Sequence, residues 1–274
     1  MEKNFKLRGG QTLPVGGKTL VMGIINVTPD SFSDGGKFFS PEKTFAHAKK
    51  LAEDGADILD IGAESTRPEA VALSADEEFA RLKKVLPALK DIGVPISIDT
   101  YKPEVAERAL EMGAEIINDV HGLEDARMIE VAKKYDVPVV VVHSEKCSDC
   151  DIVEDVKTFF RQTAANYAAR GFDTEKIIFD PGIGFGKTHE ECLTILRRLD
   201  ELKTLDGKEI SLLIGVSRKS FIGWATGLEL GERDAATGAL CVCAINNGVN
   251  IVRVHNVEMI SRMCQMTDRL RGDF

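Results

Sequence analysis

Short apolar, β-branched runs recur along the chain, and each hands over to polar residues: TLVMGIIN (19–26), ILDIGAE (58–64), PISIDT (95–100), EIINDV (115–120), PVVVVH (138–143), KIIFDP (176–181), SLLIGVS (211–217) and NIVRVH (250–255). Between them, EKTFAHAKKLAEDGA, EEFARLKKVLPALKDIG, PEVAERALEMGA and DARMIEVAKKYD repeat apolar residues at three- and four-residue spacing, the period of an amphipathic helix. Pro41 and Pro103 suit first helical turns, and Gly55, Gly93, Gly113 and Gly171 suit positions just past helix ends. Such an alternation predicts an α/β protein with a parallel sheet covered by helices. Eight units in about 250 residues match a (β/α)8 TIM barrel, although a doubly wound open sheet shows the same alternation.

The strand ends favour the barrel. They carry Asn26, Glu64, Asp99, Asn118 with Asp119, His143, Asp180, Ser217 with Lys219, and Arg253 with His255. These groups are costly when buried without partners, but in a barrel they converge on the face where the loops after the strands build a site. Asp99, Asn118 and Asp180 offer acceptors, and Asn118 also donors, as a flat heterocycle with alternating N–H and carbonyl groups requires. Arg67, Lys219, Arg253 and His255 offer cationic or donor groups to a phosphate or carboxylate. For each residue alone a cap or a solvated charge is the ordinary explanation; their repetition at eight strand ends is not ordinary. The polar stretch NVTPDSFSDGG (26–36) becomes the first of a ring of functional loops.

Composition narrows the picture further. The 274 residues are 43% hydrophobic and 29% charged, enough for one large core, and no linker or low-complexity tract divides them, so one domain over residues 1–274 is expected. A net charge of −9 opposes a broad grip on nucleic acid. The N-terminal stretch has no apolar signal region and no window approaches a membrane span, so a cytoplasmic protein without a membrane partner is expected. Six cysteines then suggest free thiols in a reducing compartment, with Cys241 and Cys243 in a buried helix. Cys147 and Cys150 form a CxxC after His143, which could hold zinc or act in redox chemistry, but no second ligand pair stands nearby and a plain polar loop is preferred.

DPGIGFGKT (180–188) is not a nucleotide loop. G-x-x-x-x-G-K-[ST] requires glycine where Pro181 stands, and Gly182, Gly184 and Gly186 alternate too strictly for G-x-G-x-x-G. Its glycines suit a backbone passing close to a ligand, with Phe185 as an apolar wall.

MGIINVTPDSFSDGG, DIGAESTRPEA, ISIDTYKPEVAERAL, INDVHG, DPGIGFGKT, SRKSFIG and IVRVHNV resemble, in order and across nearly the whole chain, the successive motifs of the dihydropteroate synthase family. The resemblance implies a single pterin-binding (β/α)8 barrel domain that joins 4-aminobenzoate to 6-hydroxymethyl-7,8-dihydropterin diphosphate, releasing diphosphate in folate synthesis, with Mg²⁺ as cofactor and a homodimer as the assembly. It implies a pterin pocket of Asp99, Asn118, Asp180, Phe185, Lys219 and Arg253. Asn26, Arg67, Arg253 and His255 fall to the diphosphate, with Asn26 at the metal, and Thr66, Pro68, Phe185 and Ser220 to the aminobenzoate. Asn26, Arg67, Asp99, Asp180, Lys219, Arg253 and His255 make up the catalytic set.

The chain departs from the family pattern at Ala63 and Glu69, where glycines are usual, at SEKCSDCD after His143, at THEEC (188–192), and at Asn256 in place of aspartate. A binding-only or sulfonamide-insensitive paralogue therefore stays open, as does a pterin-dependent methyltransferase, which would not need the NVTPDSFSDGG and STRP loops.

Overall fold

The computed structural model of the protein describes residues 3–27, 41–64, 71–122, 125–146 and 150–272. A hairpin opens the chain, β1 (Lys3–Lys6) and β2 (Thr12–Val15), followed by β3 (Leu20–Asn26), α1 (Pro41–Glu53), β4 (Ile58–Gly62), α2 (Ala75–Leu82), α3 (Leu86–Leu89), β5 (Ile96–Asp99), α4 (Pro103–Glu111), β6 (Ile116–Asp119), α5 (Arg127–Tyr135) and β7 (Val139–Val142). Next come α6 (Ile152–Ala169), β8 (Ile177–Asp180), α7 (His189–Arg197), the short β9 (Thr204–Leu205) and β10 (Lys208–Glu209), β11 (Ser211–Ile214), α8 (Ser220–Thr226), α9 (Asp234–Asn246), β12 (Ile251–Val254) and α10 (Val257–Arg271). The strands β3 to β8, β11 and β12 close into a parallel barrel. All eight apolar runs are barrel strands, so the closed sheet stands and the open one does not.

Each strand alternates between two cores. Val21, Leu59, Ile98, Ile117, Val141, Phe179, Leu212 and Val252 point outward and pack under the helices. Met22, Ile58, Ile116, Val140, Ile178, Leu213 and Ile251 point inward. Period-two alternation with both faces covered explains why the runs read as continuously apolar.

The hairpin is the part that apolar runs do not announce. Phe5, Leu7, Leu13 and Val15 join the inward cluster and plug the end of the barrel where the strands begin. Arg8 donates to Leu110 O at 2.6 Å and the Gly9 N–H to Glu115 Oε1 at 2.9 Å, tying the hairpin to the segment that leads into β6. Its alternation is too short to stand out from sequence, and its stability comes from burial against the barrel.

The helical pattern over 77–93 is broken into α2, α3 and a 3-10 turn over Lys90–Ile92. Pro87 lacks the N–H that a continuous helix would need, so it sits in the first turn of a new one. The thiol expectation is corrected in two places. Cys243 is exposed rather than buried, because it lies on the outer face of α9, and Cys150 is disulfide-bonded, whereas Cys192, Cys241, Cys243 and Cys264 are free. Cys147 lies outside the described residues. Among the described residues no helix is long and apolar enough to cross a membrane.

Candidate functional site

Two residues further along the inward face, the barrel changes character. Ile58 is followed by Asp60, Ser97 by Asp99, Ile116 by Asn118, Ile178 by Asp180 and Ile251 by Arg253. Register places Asp99 beside Asn118 on β5 and β6. The strands therefore build an apolar floor and a polar pocket above it.

Arg253 organises that pocket. Its Nε donates to Asp60 Oδ2 at 2.6 Å and its second guanidinium nitrogen to Asp99 Oδ2 at 2.5 Å. Asp60 Oδ2 also accepts from Asn118 Nδ2 at 3.1 Å. Asp60 is fully buried, yet its Oδ1 and the Oδ1 of Asn118 have no hydrogen-bond partner. Buried acceptors are seldom left so, and these two are able to accept from the N–H groups of a bound molecule.

Burial shifts the balance of charge at several of these groups. Burial pushes the Asp99 carboxyl up to about 7, against the pull of Arg253 and with help from Asp60, Glu78 and Asp119. Burial likewise raises Asp180, against Lys219, and lowers Lys219 to about 8, against Asp180. For Arg253, burial works against the charge, but Asp60 and Asp99 outweigh it and the guanidinium pKa is raised.

The loop after β8 supplies one wall. Phe185 is half-buried with Lys219 Nζ 4.4 Å from its ring centroid, and Lys219 also donates to Ile183 O. Asp180 Oδ1 accepts from the Gly182 N–H at 2.7 Å. Two of the loop's glycines sit against the neighbouring backbone. At Gly182, with φ +67°, a Cβ would lie 1.9 Å from His143 O, and at Gly186, with φ +61°, 2.6 Å from Ser144 O. They let this loop lie on its neighbour's backbone.

Lys187 completes that seam. It donates to His143 O at 2.8 Å and to Phe185 O at 3.1 Å, and lies 2.8 Å from His143 Nδ1. Burial lowers Lys187 to about 8 and, with the Lys187 charge, lowers His143 to about 3. The neutral imidazole places Nε2 3.2 Å from Asp155 and does not join the pocket network. Thr188 then caps α7 reciprocally with Glu191, so the unusual THEEC string works as a helix start.

Three further predicted residues lie on the rim. Asn26 ends β3 with its side chain exposed, opposite Gly62. Ser220 opens α8 and is exposed, and half-buried His255 stands 2.9 Å from Ser217 Oγ through Nδ1. Thr66, Arg67, Pro68 and Glu69 lie outside the described residues.

Glu64 is drawn away from the network by Tyr101, at 2.8 Å, and by Lys102, at 2.5 Å. Ala63 is fully buried in the outer core with no positive φ, so glycine is not needed there. Asp60 was not among the candidates drawn from the strand ends because it lies mid-strand; its signal was a lone carboxylate inside an apolar run.

A closed (β/α)8 barrel with a buried acid–amide–guanidinium pocket at the strand ends defines a class of heterocycle-binding barrels, and the chain's relatives specify which. Residues 22–255 match the family described as pterin binding enzyme. A Bacillus subtilis dihydropteroate synthase is 44% identical over 256 residues, covering 92% of this chain and 89% of that protein. A Xanthomonas albilineans dihydropteroate synthase solved with 4-aminobenzoic acid superposes with a TM-score of 0.92 at 36% identity, over 99% of both chains. A Clostridium difficile dihydropteroate synthase solved in the presence of pteroic acid gives 0.89 at 45% identity, over 93% of this chain and 98% of that one. The chain belongs to the dihydropteroate synthase family.

Proposed function

We propose that the protein, one pterin-binding domain over its whole length, joins 4-aminobenzoate to 6-hydroxymethyl-7,8-dihydropterin diphosphate in folate biosynthesis. The observation that carries this reading is the buried socket in which Asp60 Oδ1 and Asn118 Oδ1 lack donors. A pterin ring presents N–H groups along one edge, and Asp99, Asn118 and Asp180 lie where that edge would be read. Lys219 and Arg253 hold its carbonyl side, and Phe185 flanks both the ring and the aminobenzoate.

The reaction breaks the carbon–oxygen bond at the pterin methylene, and its electron pair leaves with diphosphate. The aromatic amine nitrogen bonds to that carbon and gives up a proton. Asn26, Arg67, Arg253 and His255 stabilise the departing charge where it develops. The carboxylates of Asp99 and Asp180 favour positive charge on the ring before attack. Thr66, Pro68 and Ser220 orient the aminobenzoate, and no covalent nucleophile is needed.

Among the described residues no group of three or more His, Cys, Asp or Glu could hold a metal. Mg²⁺ keeps most of its waters and takes one or two protein oxygens beside phosphate. The exposed Asn26 amide oxygen would be such a ligand, and Mg²⁺ held there would supply charge neutralisation for the diphosphate. A cytoplasmic homodimer is the assembly we assign to it.

The test is diphosphate release with and without 4-aminobenzoate in the presence of Mg²⁺. Release that depends on the amine, lowered about 10²- to 10³-fold in Arg67→Ala with pterin affinity retained, is expected. Pterin binding by folded protein without amine-dependent release would instead make it a binding-only relative.

A further inference from the structure

β11 and β12 pair in parallel with Leu213 opposite Ile251 and Ile214 opposite Val252. Carried past the strand ends, the same register sets Ser217 opposite His255, and the two residues are joined twice. The His255 backbone N–H donates to Ser217 Oγ at 3.2 Å, and Ser217 Oγ lies 2.9 Å from His255 Nδ1.

The turn that carries Ser217 is pinned from outside. Arg218 takes a φ of 59°, costly for a residue with a side chain. It is held there by a fork onto Asp234 at 2.6 and 2.8 Å, by its N–H on Thr237 Oγ1, and by Arg233 on its carbonyl. Asn256, next to His255, donates to the same Asp234 at 2.9 Å. Serine and histidine are thus locked together from both chain segments.

Hydrogen-bond accounting then assigns the proton. Ser217 is 7% exposed, and its oxygen already accepts from the His255 backbone. Its own O–H has Nδ1 as the one acceptor within reach among the described residues. If Nδ1 carried a proton, the serine O–H would be a buried donor with nothing to bond, an arrangement folded proteins avoid. Nδ1 is therefore the acceptor, and in the neutral ring the proton lies on Nε2.

We propose that Ser217 is a positioning residue which holds His255 in the Nε2–H tautomer, so that the ring offers a hydrogen-bond donor, and not a lone pair, to a phosphoryl oxygen. The proposal rests on the reading that diphosphate is bound at His255. A lone pair there would repel the oxygens that a donor attracts, so the tautomer decides whether a neutral histidine helps or hinders the leaving group.

Two-bond ¹H–¹⁵N correlation on the full-length protein with ¹⁵N-labelled histidine reads the tautomer directly, with His255→Gln identifying the signal. The expected result is a protonated Nε2 in the wild type, a mixed or Nδ1-protonated ring in Ser217→Ala, and the wild-type pattern restored in Ser217→Thr. Calorimetry with inorganic diphosphate and Mg²⁺ should show about tenfold weaker binding in Ser217→Ala than in Ser217→Thr. His255→Gln, whose amide N–H can stand where Nε2–H stands, should lose less affinity than His255→Asn, whose amide overlaps Nδ1. A wild-type ring protonated at Nδ1, or a ring unchanged in Ser217→Ala, overturns the proposal and leaves the diphosphate reading standing. A tautomer that changes with no loss of diphosphate affinity overturns the reading beneath it.

Discussion

The two ends of the barrel interior are made by the same strands, two residues apart, and obey opposite rules. At the strand starts Ile58, Ile116, Ile178 and Ile251 join Phe5 and Leu13 of the hairpin in one apolar cluster. Burying each such side chain favours the fold by about 1.5 to 3 kcal/mol. At the strand ends Asp60, Asn118, Asp180 and Arg253 occupy the same inward positions, and burial there works against the charges it encloses. The floor stabilises the fold, and the pocket holds polar groups at a cost to stability. The difference teaches that a β-barrel can separate the two tasks along a single strand with no change in backbone.

The largest effect should come from breaking the pocket's charge balance. Arg253→Met leaves Asp60 and Asp99 buried without their cation, and denaturant unfolding should show a loss of about 3 to 5 kcal/mol. Turnover should fall with it. Should stability hold, the network does not depend on Arg253.

Removing a side chain from the floor should give the opposite profile. Ile178→Ala is expected to cost about 2 to 5 kcal/mol in the same unfolding experiment. Pterin affinity per folded molecule should stay close to wild type. An affinity loss equal to that of a pocket variant would mean that the two ends are not separable.

Asp99→Asn sharpens the contrast through pH. Its folded-state pKa is raised from 3.8 to about 7, so the folded protein holds that proton more tightly than the unfolded chain. Below pH 3.8 this group takes nothing from stability. As pH rises from 3.8 to about 7 it subtracts progressively, and above that the loss is complete. Ligand-free wild type should therefore lose stability across that window relative to Asp99→Asn, and parallel curves would refute the burial argument. The same variant should lose about 1.5 to 3 kcal/mol of pterin affinity by calorimetry.

The smallest effect is expected outside both regions. Cys150 is exposed, and Cys150→Ser in reducing buffer should change pterin affinity by no more than about twofold. A larger change, or stoichiometric zinc lost together with activity when Cys147 is also replaced by Ser, would bring the loop after β7 into the site.

Much of this arrangement is legible in the chain because strand and helix periods are local. Eight apolar runs, their order and the polar residue closing each are printed in the sequence, as are the family's motifs. Whether a residue faces inward also follows from period-two alternation, once one inward neighbour is known.

What the sequence does not carry is which polar groups become partners. Asp60 and Arg253 are 193 residues apart and meet because closure brings β12 round to β3 and β4. Glu64 and His143 stand at strand ends as Asp99 and Asn118 do. They are claimed instead by Tyr101 and Lys102, and by Lys187 and Asp155. The sequence by itself determined the strands, their order and the chemical character of the pocket face, since these depend on spacing within a few residues. Only the tertiary structure decided that Asp60 belongs to the pocket, that the N-terminal hairpin seals the floor, and that Ser217 meets His255. Hydrogen bonds and burial are settled by distance in space, and the closed barrel sets those distances.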